Sequence, residues 1–437
     1  MLSAIFTLFS RLYSYSMSRF FPREAFEVVH SRNFRLFLAY RFLMTTATQM
    51  QAVVVGWLLY DLTKNVLSLG MIGLAEVIPQ VSIALFAGHF VDIWDRKKII
   101  LYTTFLLLFG SSLLAIYTLP QLDLHQLLGT LPIFITIFIT GLVRGILMPA
   151  HTALLGQLVP RRLLTGAATW SSSVWQLAAV TGPAVGGLIY GFFGVVPAFT
   201  TVFLLYLSCT LLLVFIQSPG KVATGSSNEE DIFARIREGI AYVFNNQILL
   251  GAFALDMFAV LFGGAVAMLP VFASDILQAG PEGLGVLRAC PAVGAIIMSV
   301  MLTFHPPVHR SGKLLLYSVV GFGLSMIVFA ISKSFVLSAA ALFLSGVFDN
   351  VSVVIRASIL QLFTSDEMKG RVAAVNSIFI GSSNELGAFE SGVAARLMGL
   401  VPSVVFGGGM TLLVVAVAAI KSPALRNLSL KDCVKGN

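Results

Sequence analysis

The chain has 437 residues, of which 57% are hydrophobic and only 11% are charged, and its net charge is +8. A soluble domain cannot cover its surface with so few charged side chains, whereas helices that face lipid need none. The apolar runs are far longer than the roughly 10-residue alternating strands of a membrane barrel. The composition therefore predicts a bundle of membrane-spanning helices. The cysteines, Cys209, Cys290 and Cys433, have no metal-binding spacing, and we expect neither a metal nor a cofactor.

Twelve apolar segments follow in chain order, each long enough to cross a bilayer as one helix of about 20 residues. They lie near residues 34–61, 66–91, 99–119, 131–152, 165–190, 196–217, 247–273, 283–304, 313–332, 335–357, 371–397 and 402–420. The predicted fold class is all-α, with twelve transmembrane helices in two pseudo-symmetric six-helix bundles. The bundles would comprise residues 34–217 and 247–420, joined by a cytoplasmic linker with a surface helix at residues 218–246.

The two ends of the chain lie outside the predicted bundles. Residues 1–33 are predicted to form a cytoplasmic or interfacial segment, and residues 421–437 a cytoplasmic tail. The run from Leu2 to Phe9 is too short to span, and no positive residue precedes it as a signal peptide would require. Two interpretations stay open: the segment lies at the membrane surface, or Met17 is the native start.

Basic residues are distributed unevenly between the two sides of the predicted bundle. With both termini on one side, 21 of the 28 Lys and Arg residues fall on that side, three on the other and four within spans. Positively charged loops of membrane proteins face the cytoplasm. We therefore expect a multi-pass protein of the plasma (inner) membrane with both termini cytoplasmic. The distribution also explains the positive charge without a nucleic-acid partner.

Two segments resemble each other at an offset of 204 residues, which is close to half of the chain. Gln157 and Leu158 correspond to Gln361 and Leu362, Gly166 to Gly370, and Ser173 to Ser377. Each segment combines a short polar turn with a span rich in Ala, Ser and Gly. Duplicated halves that face each other across a central cavity are typical of secondary transporters.

The turn after the second predicted span reads GHFVDIWDRKK, from Gly88 to Lys98. It resembles the signature loop of the major facilitator superfamily, which implies that Gly88, Asp92, Asp95, Arg96 and Lys97 form a conformational switch. The resemblance covers residues 34–420, but the sequence departs from the pattern at Ile93, where the family usually has Arg. We expect Asp92 to accept backbone N–H bonds from the eleventh span, near Arg371, in one conformation only. The alternative is a solvated charged turn.

Three further segments resemble parts of this superfamily. The fifth span contains TGPAVGG, which resembles the glycine–proline motif of its antiporters and exporters, with Gly182, Pro183, Gly186 and Gly187 as the motif residues. A proline removes a helix hydrogen bond and glycines allow helices to approach closely; the alternative is ordinary small-residue packing. The segments from Arg144 to Ala150 and from Gly381 to Gly392 resemble the subgroup that includes the enterobactin exporter and macrolide efflux proteins.

Nine ionisable residues lie inside predicted spans, where an unpaired charge is costly. They are Arg41, Glu76, Arg144, Asp256, Arg288, Asp349, Arg356, Glu385 and Glu390. Arg356 lies near a span end and can extend to the interface; the other eight are candidate coupling or substrate-binding residues. Glu76 and Glu385 lie near mid-membrane, where burial favours a neutral carboxyl, and this position is typical of a proton carrier.

Four of these residues lie at similar depths, about 10 to 15 Å from the cytoplasmic ends of their spans. Arg41 and Arg144 come from the N-terminal half, whereas Asp256 and Asp349 come from the C-terminal half. We expect them to meet across the inner cavity when it narrows. The alternative is that each binds a local backbone or hydroxyl partner. Glu390 and Arg288 lie in the outer part of the C-terminal half in this topology and are expected to pair.

These patterns predict a secondary active transporter that works as a monomer among membrane lipids. The resemblance implies a proton-coupled exporter of an amphiphilic small molecule, such as a siderophore, a macrolide or another drug. The P-loop pattern is absent from the sequence, so ATP is not the expected energy source. One alternative is a lipid or lysolipid flippase, and another is a non-transporting receptor or scaffold. We do not expect an enzyme, because the six histidines are dispersed.

Overall fold

The computed structural model describes residues 27–217, 232–365 and 368–431. The predictions for Leu2 to Phe9 and Met17, for most of the linker, and for Cys433 concern residues outside these ranges. Within them the chain forms helices and no β-strand, as the predicted fold class requires. The domain boundaries drawn from the sequence remain predictions.

Six long helices precede the linker, and each is apolar along most of its length. They are α1 (Arg32–Thr63), α2 (Val66–Ile93), α3 (Arg96–Tyr117), α4 (Leu131–Leu158), α5 (Leu164–Phe193) and α6 (Val195–Phe215). Polar or glycine residues end them where the sequence predicts breaks. Lys64 adopts a left-handed backbone with φ of 47° between α1 and α2, and Gly194, with φ of 88°, separates α5 from α6.

Six more long helices follow the linker. They are α7 (Gln247–Phe262), α8 (Gly280–Phe304), α9 (Ser311–Ile331), α10 (Phe335–Phe363), α11 (Lys369–Met398) and α12 (Leu400–Lys421). The seventh helix is interrupted: after Phe262 the chain continues through a 3-10 turn at Ala265–Met268 and a π-helical turn at Phe272–Ile276. A π-helical turn is rare and occurs often at functional sites.

Eleven helices of the described residues are long and apolar enough to cross a membrane. The remaining long helix, α11, has 30 residues, and at 1.5 Å per residue it would measure about 45 Å, more than the bilayer core. Its many polar residues, including Glu385 and Glu390, lower its hydropathy. Because α11 packs along α2 rather than lying on the surface, its polarity fits a position inside the bundle, and the count of twelve crossings remains a prediction.

The face at which α1 begins and α12 ends is here named the basic face, because most of the basic turns belong to it. A surface helix, Ile232–Asn245, follows the linker and packs on α11 at this face. Glu238 of the surface helix forms an ion pair with Arg371. The Tyr242 hydroxyl donates to the Phe363 carbonyl oxygen at 3.2 Å. The surface helix is thereby fixed to the C-terminal half.

The two halves contact each other closely at the face opposite the basic face. An added Cβ on Gly73 of α2 would lie 2.2 Å from the Glu385 carbonyl oxygen, and one on Gly187 of α5 would lie 2.6 Å from Gly285 Cα. By contrast, Gly156 and Gly370, near the basic-face ends of α4 and α11, have no such neighbour within 4 Å. The structure is therefore closed at the opposite face.

Glycine also allows close packing inside the N-terminal half. An added Cβ on Gly141 of α4 would lie 2.3 Å from the Glu76 carbonyl oxygen, whereas one on Gly156 of the same helix would meet open space. We expect Gly141→Ala to destabilise the protein by about 1–3 kcal/mol, because backbone atoms must move apart. Gly156→Ala, the matched control, should stabilise α4 by up to about 1 kcal/mol through helix propensity.

Thermal unfolding of the purified protein in detergent measures both effects. The melting temperature should fall for Gly141→Ala and stay equal or rise for Gly156→Ala. Equal melting temperatures for the two variants would contradict the close approach of α2 and α4.

Candidate functional site

The turn between α2 and α3 holds the start of α3 in place. Asp95 is the N-cap of α3, and its carboxylate accepts hydrogen bonds from the backbone N–H of Lys97 at 2.9 Å and of Lys98 at 3.4 Å. Gly88 and Asp92 belong to the last two turns of α2, but the side chain of Asp92 is outside the described part of the structure. The expected contact of Asp92 with α11 remains a prediction.

Basic residues of the same turn connect it to neighbouring helices of the N-terminal half. The Arg96 guanidinium donates to the Ala153 carbonyl oxygen of α4 at 3.4 Å. The Lys97 ammonium donates to the Val214 carbonyl oxygen at the end of α6 at 3.1 Å. The Val214 carbonyl group lies at the C-terminus of α6, where positive charge is favourable. The turn is thus part of the N-terminal half in this conformation.

The glycine–proline motif of α5 contacts both halves. An added Cβ on Gly182 would lie 2.7 Å from Gln49 Cβ of α1, and one on Gly186 would lie 2.8 Å from Met50 Cγ. The next residue, Gly187, faces α8 of the other half, and an added Cβ on Gly285 would lie 2.8 Å from the Pro183 carbonyl oxygen. At this motif α5 therefore packs closely on both α1 and α8.

An arginine and two carboxylates join the halves near mid-membrane. The Arg144 guanidinium of α4 forms ion pairs with Glu76 of α2 and, at 2.9 Å, with Glu385 of α11. Both bonds come from the same nitrogen, Nη1. The carboxylate side chains are 14% and 15% exposed, whereas that of Arg144 is 42% exposed. We name this group the Arg144 bridge.

The bridge forms because the three helices carry complementary charges at one depth. Glu76 lies ten residues after the start of α2, and Arg144 and Glu385 each lie 13 residues from the opposite-face ends of α4 and α11. At 1.5 Å per residue these distances are about 15 to 20 Å. Sequence analysis predicted Glu76, Arg144 and Glu385 separately but did not predict that they meet.

Arg288 of α8 lies near the bridge without bonding to it. It interacts electrostatically with Glu385 and Glu76. Among the described residues no hydrogen bond or ion pair joins Arg288 to any side chain, and the predicted pair with Glu390 is not formed. That prediction is wrong for this conformation because α11 turns Glu385, rather than Glu390, towards the arginines.

Arg41 belongs to a different buried network in the N-terminal half. Its guanidinium lies 2.6 Å from His151 Nδ1, and Tyr40 Oη lies 2.9 Å from His151 Nε2. Because a guanidinium can only donate, His151 Nδ1 is the acceptor and the proton is assigned to Nε2. Tyr40 Oη also lies 3.3 Å from the Thr104 hydroxyl. This arrangement keeps the imidazole neutral, and sequence analysis did not single out His151 or Tyr40.

Asp256 of α7 pairs within the C-terminal half. It forms an ion pair with Arg356 of α10, whose Nε also donates to the Ser352 hydroxyl at 3.1 Å. Asp256 and Arg356 are each only 6% exposed. The expectation that Arg356 extends to the interface is therefore wrong. Asp349 lies two turns from Arg356 on α10 and interacts with it electrostatically.

The four residues predicted to meet across the inner cavity remain apart in this conformation. Arg41 binds His151, Arg144 binds two glutamates, and Asp256 binds Arg356. Arg41 and Asp256 each have a side-chain partner in their own half, and neither partner is the local backbone or hydroxyl group of the alternative interpretation. Their meeting in a narrowed cavity remains a prediction for another conformation.

The residues of this chain from 24 to 435 match the family of transmembrane secretion effectors. Among curated relatives, macrolide efflux protein A of Streptococcus pyogenes is 22% identical over 89% of this chain and 95% of its own length. A Na(+), Li(+), K(+)/H(+) antiporter of Planococcus maritimus is 20% identical over 71% of this chain and 78% of its own. The staphyloferrin A transporter of Staphylococcus aureus is 21% identical over 61% of this chain and 66% of its own length.

Solved structures with the same fold include a POT family transporter in complex with 5-aminolevulinic acid. Its TM-score is 0.71 at 12% sequence identity, and the match covers 91% of this chain and 97% of that chain. At this identity the likeness shows the fold alone. The family match, by contrast, extends over almost the whole chain, including both halves and the helices that carry the Arg144 bridge. The chain therefore belongs to the transmembrane secretion effector family of major facilitator transporters, and it is a membrane transporter rather than an enzyme.

Proposed function

We propose that this transporter is a proton-coupled exporter of an amphiphilic small molecule, and that the Arg144 bridge is its coupling centre. The protein works in the plasma membrane with the basic face in the cytoplasm, as the distribution of Lys and Arg favours. The relatives that transport a macrolide or a siderophore support a drug or siderophore as substrate, and the cation/proton antiporter supports coupling to protons.

The observation that carries the proposal is the sharing of one arginine by carboxylates from both halves. Arg144 and Glu76 belong to the N-terminal half, and Glu385 belongs to the C-terminal half. If Glu385 takes up a proton, it loses its charge and its ion pair with Arg144 is weakened. Glu76 still neutralises the arginine, so no cation is left unpaired in the membrane. A proton on Glu385 therefore favours separation of the halves at mid-membrane.

The same helices form the closed opposite face, so the bridge is mechanically linked to it. Gly73 of α2 packs on the backbone of Glu385 itself, and Gly70 packs on Gly392 two turns further along α11. When α2 and α11 separate, the bridge and this packing must break together. The equilibrium between the two access states then depends on whether Glu385 is ionised.

A hydrogen bond at the opposite face is a second link between the halves. The Tyr60 hydroxyl, at the end of α1, donates to the Asp275 carboxylate in the π-helical turn. Tyr60 is only 5% exposed and lies in an apolar cluster that contains Leu69 of α2 and Phe272. This bond stabilises the state that is open towards the basic face.

Transport assays with purified protein in proteoliposomes test the coupling centre. A panel of macrolides, siderophores and fluorescent amphiphiles is added, and a trapped pH indicator reports proton movement. We expect Arg144→Gln to lower the transport rate at least about tenfold, because it leaves two largely buried carboxylates without their bonded counter-charge. Arg144→Lys should retain part of the rate. Glu385→Gln should transport without the pH change that accompanies wild-type transport.

The control for this experiment is Arg396→Gln, which removes an exposed arginine near the C-terminal end of α11. It should leave both the rate and the pH change at wild-type values. Wild-type proton-to-substrate ratios in both Glu76→Gln and Glu385→Gln would exclude the Arg144 bridge as the coupling centre.

The hydrogen bond of Tyr60 yields a separate prediction about the access states. Tyr60→Phe should increase opening of the opposite face by about two- to tenfold, since one hydrogen bond contributes roughly 0.5–1.5 kcal/mol. The measurement is the rate at which a membrane-impermeant maleimide labels Leu69→Cys in a chain whose native cysteines are replaced by serine. Tyr317→Phe, at an exposed tyrosine of α9, is the control. Equal rates for the two phenylalanine variants would contradict the role of Tyr60.

A further inference from the structure

We propose that Arg144 and Arg288 together bind an anionic group of the substrate, most simply a carboxylate. The inference rests on the proposed transport function and adds the chemical class of the substrate. One arginine comes from each half of the protein, so a bound carboxylate would contact α4 and α8 at once. A guanidinium offers planar, paired N–H donors that match a carboxylate in geometry.

Arg288 supplies the first argument, because its positive charge has no bonded counter-charge. It lies near Glu76 and Glu385, yet within the described residues neither carboxylate forms an ion pair with it. Both carboxylates are directed to Arg144 instead. A cation inside a membrane protein is stabilised by a partner or by water. An anionic ligand would give Arg288 the bonded counter-charge that Glu76 and Glu385 do not provide in this conformation.

Arg144 supplies the second argument, because most of its donors are free. Only Nη1 bonds to the two glutamates, and in the described part of the chain Nη2 and Nε donate to no other group. The side chain is 42% exposed although its partners are largely buried. The open edge of the guanidinium is therefore available to a ligand in the space between the halves.

The position of the two arginines determines the side from which a ligand can reach them. Arg288 lies one turn from Gly285, where α8 packs on Gly187 of α5 and closes the opposite face. A ligand must therefore enter from the basic face, which fits export. Met148 lies one turn from Arg144 on the same side of α4 and is 67% exposed. It offers apolar surface next to the charged site, so the site suits an amphiphilic anion.

Displacement of Glu385 would connect anion binding to transport. A carboxylate that binds Arg144 competes with Glu385 for the same guanidinium. Arg288 lies on the α8 side and already interacts electrostatically with Glu385, so it can also compensate the displaced charge. No covalent bond changes in this exchange. The substrate would thus break the link between α4 and α11 by replacing one carboxylate with another.

The test uses two related dyes of opposite charge, carboxyfluorescein as the anion and rhodamine 6G as the cation. Fluorescence anisotropy measures their binding to the purified full-length protein in detergent. We expect the wild-type protein to bind carboxyfluorescein more tightly than rhodamine 6G. Arg288→Gln should weaken binding of the anion at least tenfold, and Arg288→Lys should restore most of it. Arg396→Gln, at an exposed arginine, should have no effect.

Glu385→Gln provides the readout that a merely structural role would not give. It removes the competitor for Arg144, so it should tighten carboxyfluorescein binding about two- to tenfold, whereas Arg288→Gln weakens it. Absence of anion binding, wild-type anion binding by Arg288→Gln, or weaker binding by Glu385→Gln would overturn the anion site.

The dye experiment tests the anion site and the proton assay tests the coupling proposal, so either one can be wrong while the other stands. If Arg288→Gln binds carboxyfluorescein as tightly as the wild-type protein does, while rhodamine 6G is exported with proton movement, the anion site is wrong and the coupled exporter stands. If carboxyfluorescein binds as predicted but no compound of the panel moves protons, the coupling proposal is wrong and the anion site stands.

Discussion

A charge inside a membrane protein needs a counter-charge, and in this transporter one arginine forms ion pairs with two carboxylates. Arg144 binds Glu76 within its own half and Glu385 across the interface. If the ion pair between Arg144 and Glu385 is lost, the pair between Arg144 and Glu76 stays intact. The halves can then separate without leaving an unpaired cation in a region of low dielectric constant. Glu76 and Glu385 lie on α2 and α11, and these two helices also pack on each other. The ion pair and the close packing between the halves therefore form and break together.

Small residues determine where the halves touch. Gly70, Gly73 and Gly187 bring backbones of the two halves together at the opposite face, whereas Gly156 and Gly370, near the basic-face ends of α4 and α11, have no such neighbour within 4 Å. Without side chains to interlock, such contacts gain stability from close backbone packing and can separate without extracting a large apolar group. An interface of this kind is suited to repeated opening, whereas large buried aromatic residues such as Tyr40 and Phe199 lie within the N-terminal half.

The sequence predicts the helices well because hydropathy and charge act along the chain. Eleven of the twelve predicted spans are recovered by length and apolarity, and α3 begins at Arg96, three residues before the predicted span. The partners of the buried charges could not be predicted in the same way. Arg144 and Glu385 are 241 residues apart, and their meeting depends on the rotation of α4 and α11 about their axes. The same reason explains the missed pair of Asp256 with Arg356 and the unpredicted network of His151.

The attachment of the surface helix to α11 affects how the two halves are tethered. Because Glu238 holds Arg371 and Tyr242 holds the end of α10, Ile232–Asn245 moves as part of the C-terminal half. The effective connection between the halves is therefore shorter than the 29-residue stretch between the bundles suggests, since its last 14 residues are not free to extend. An insertion within the surface helix would therefore act directly on α11, the helix that carries Glu385, whereas one placed before Ile232 would not disturb this contact.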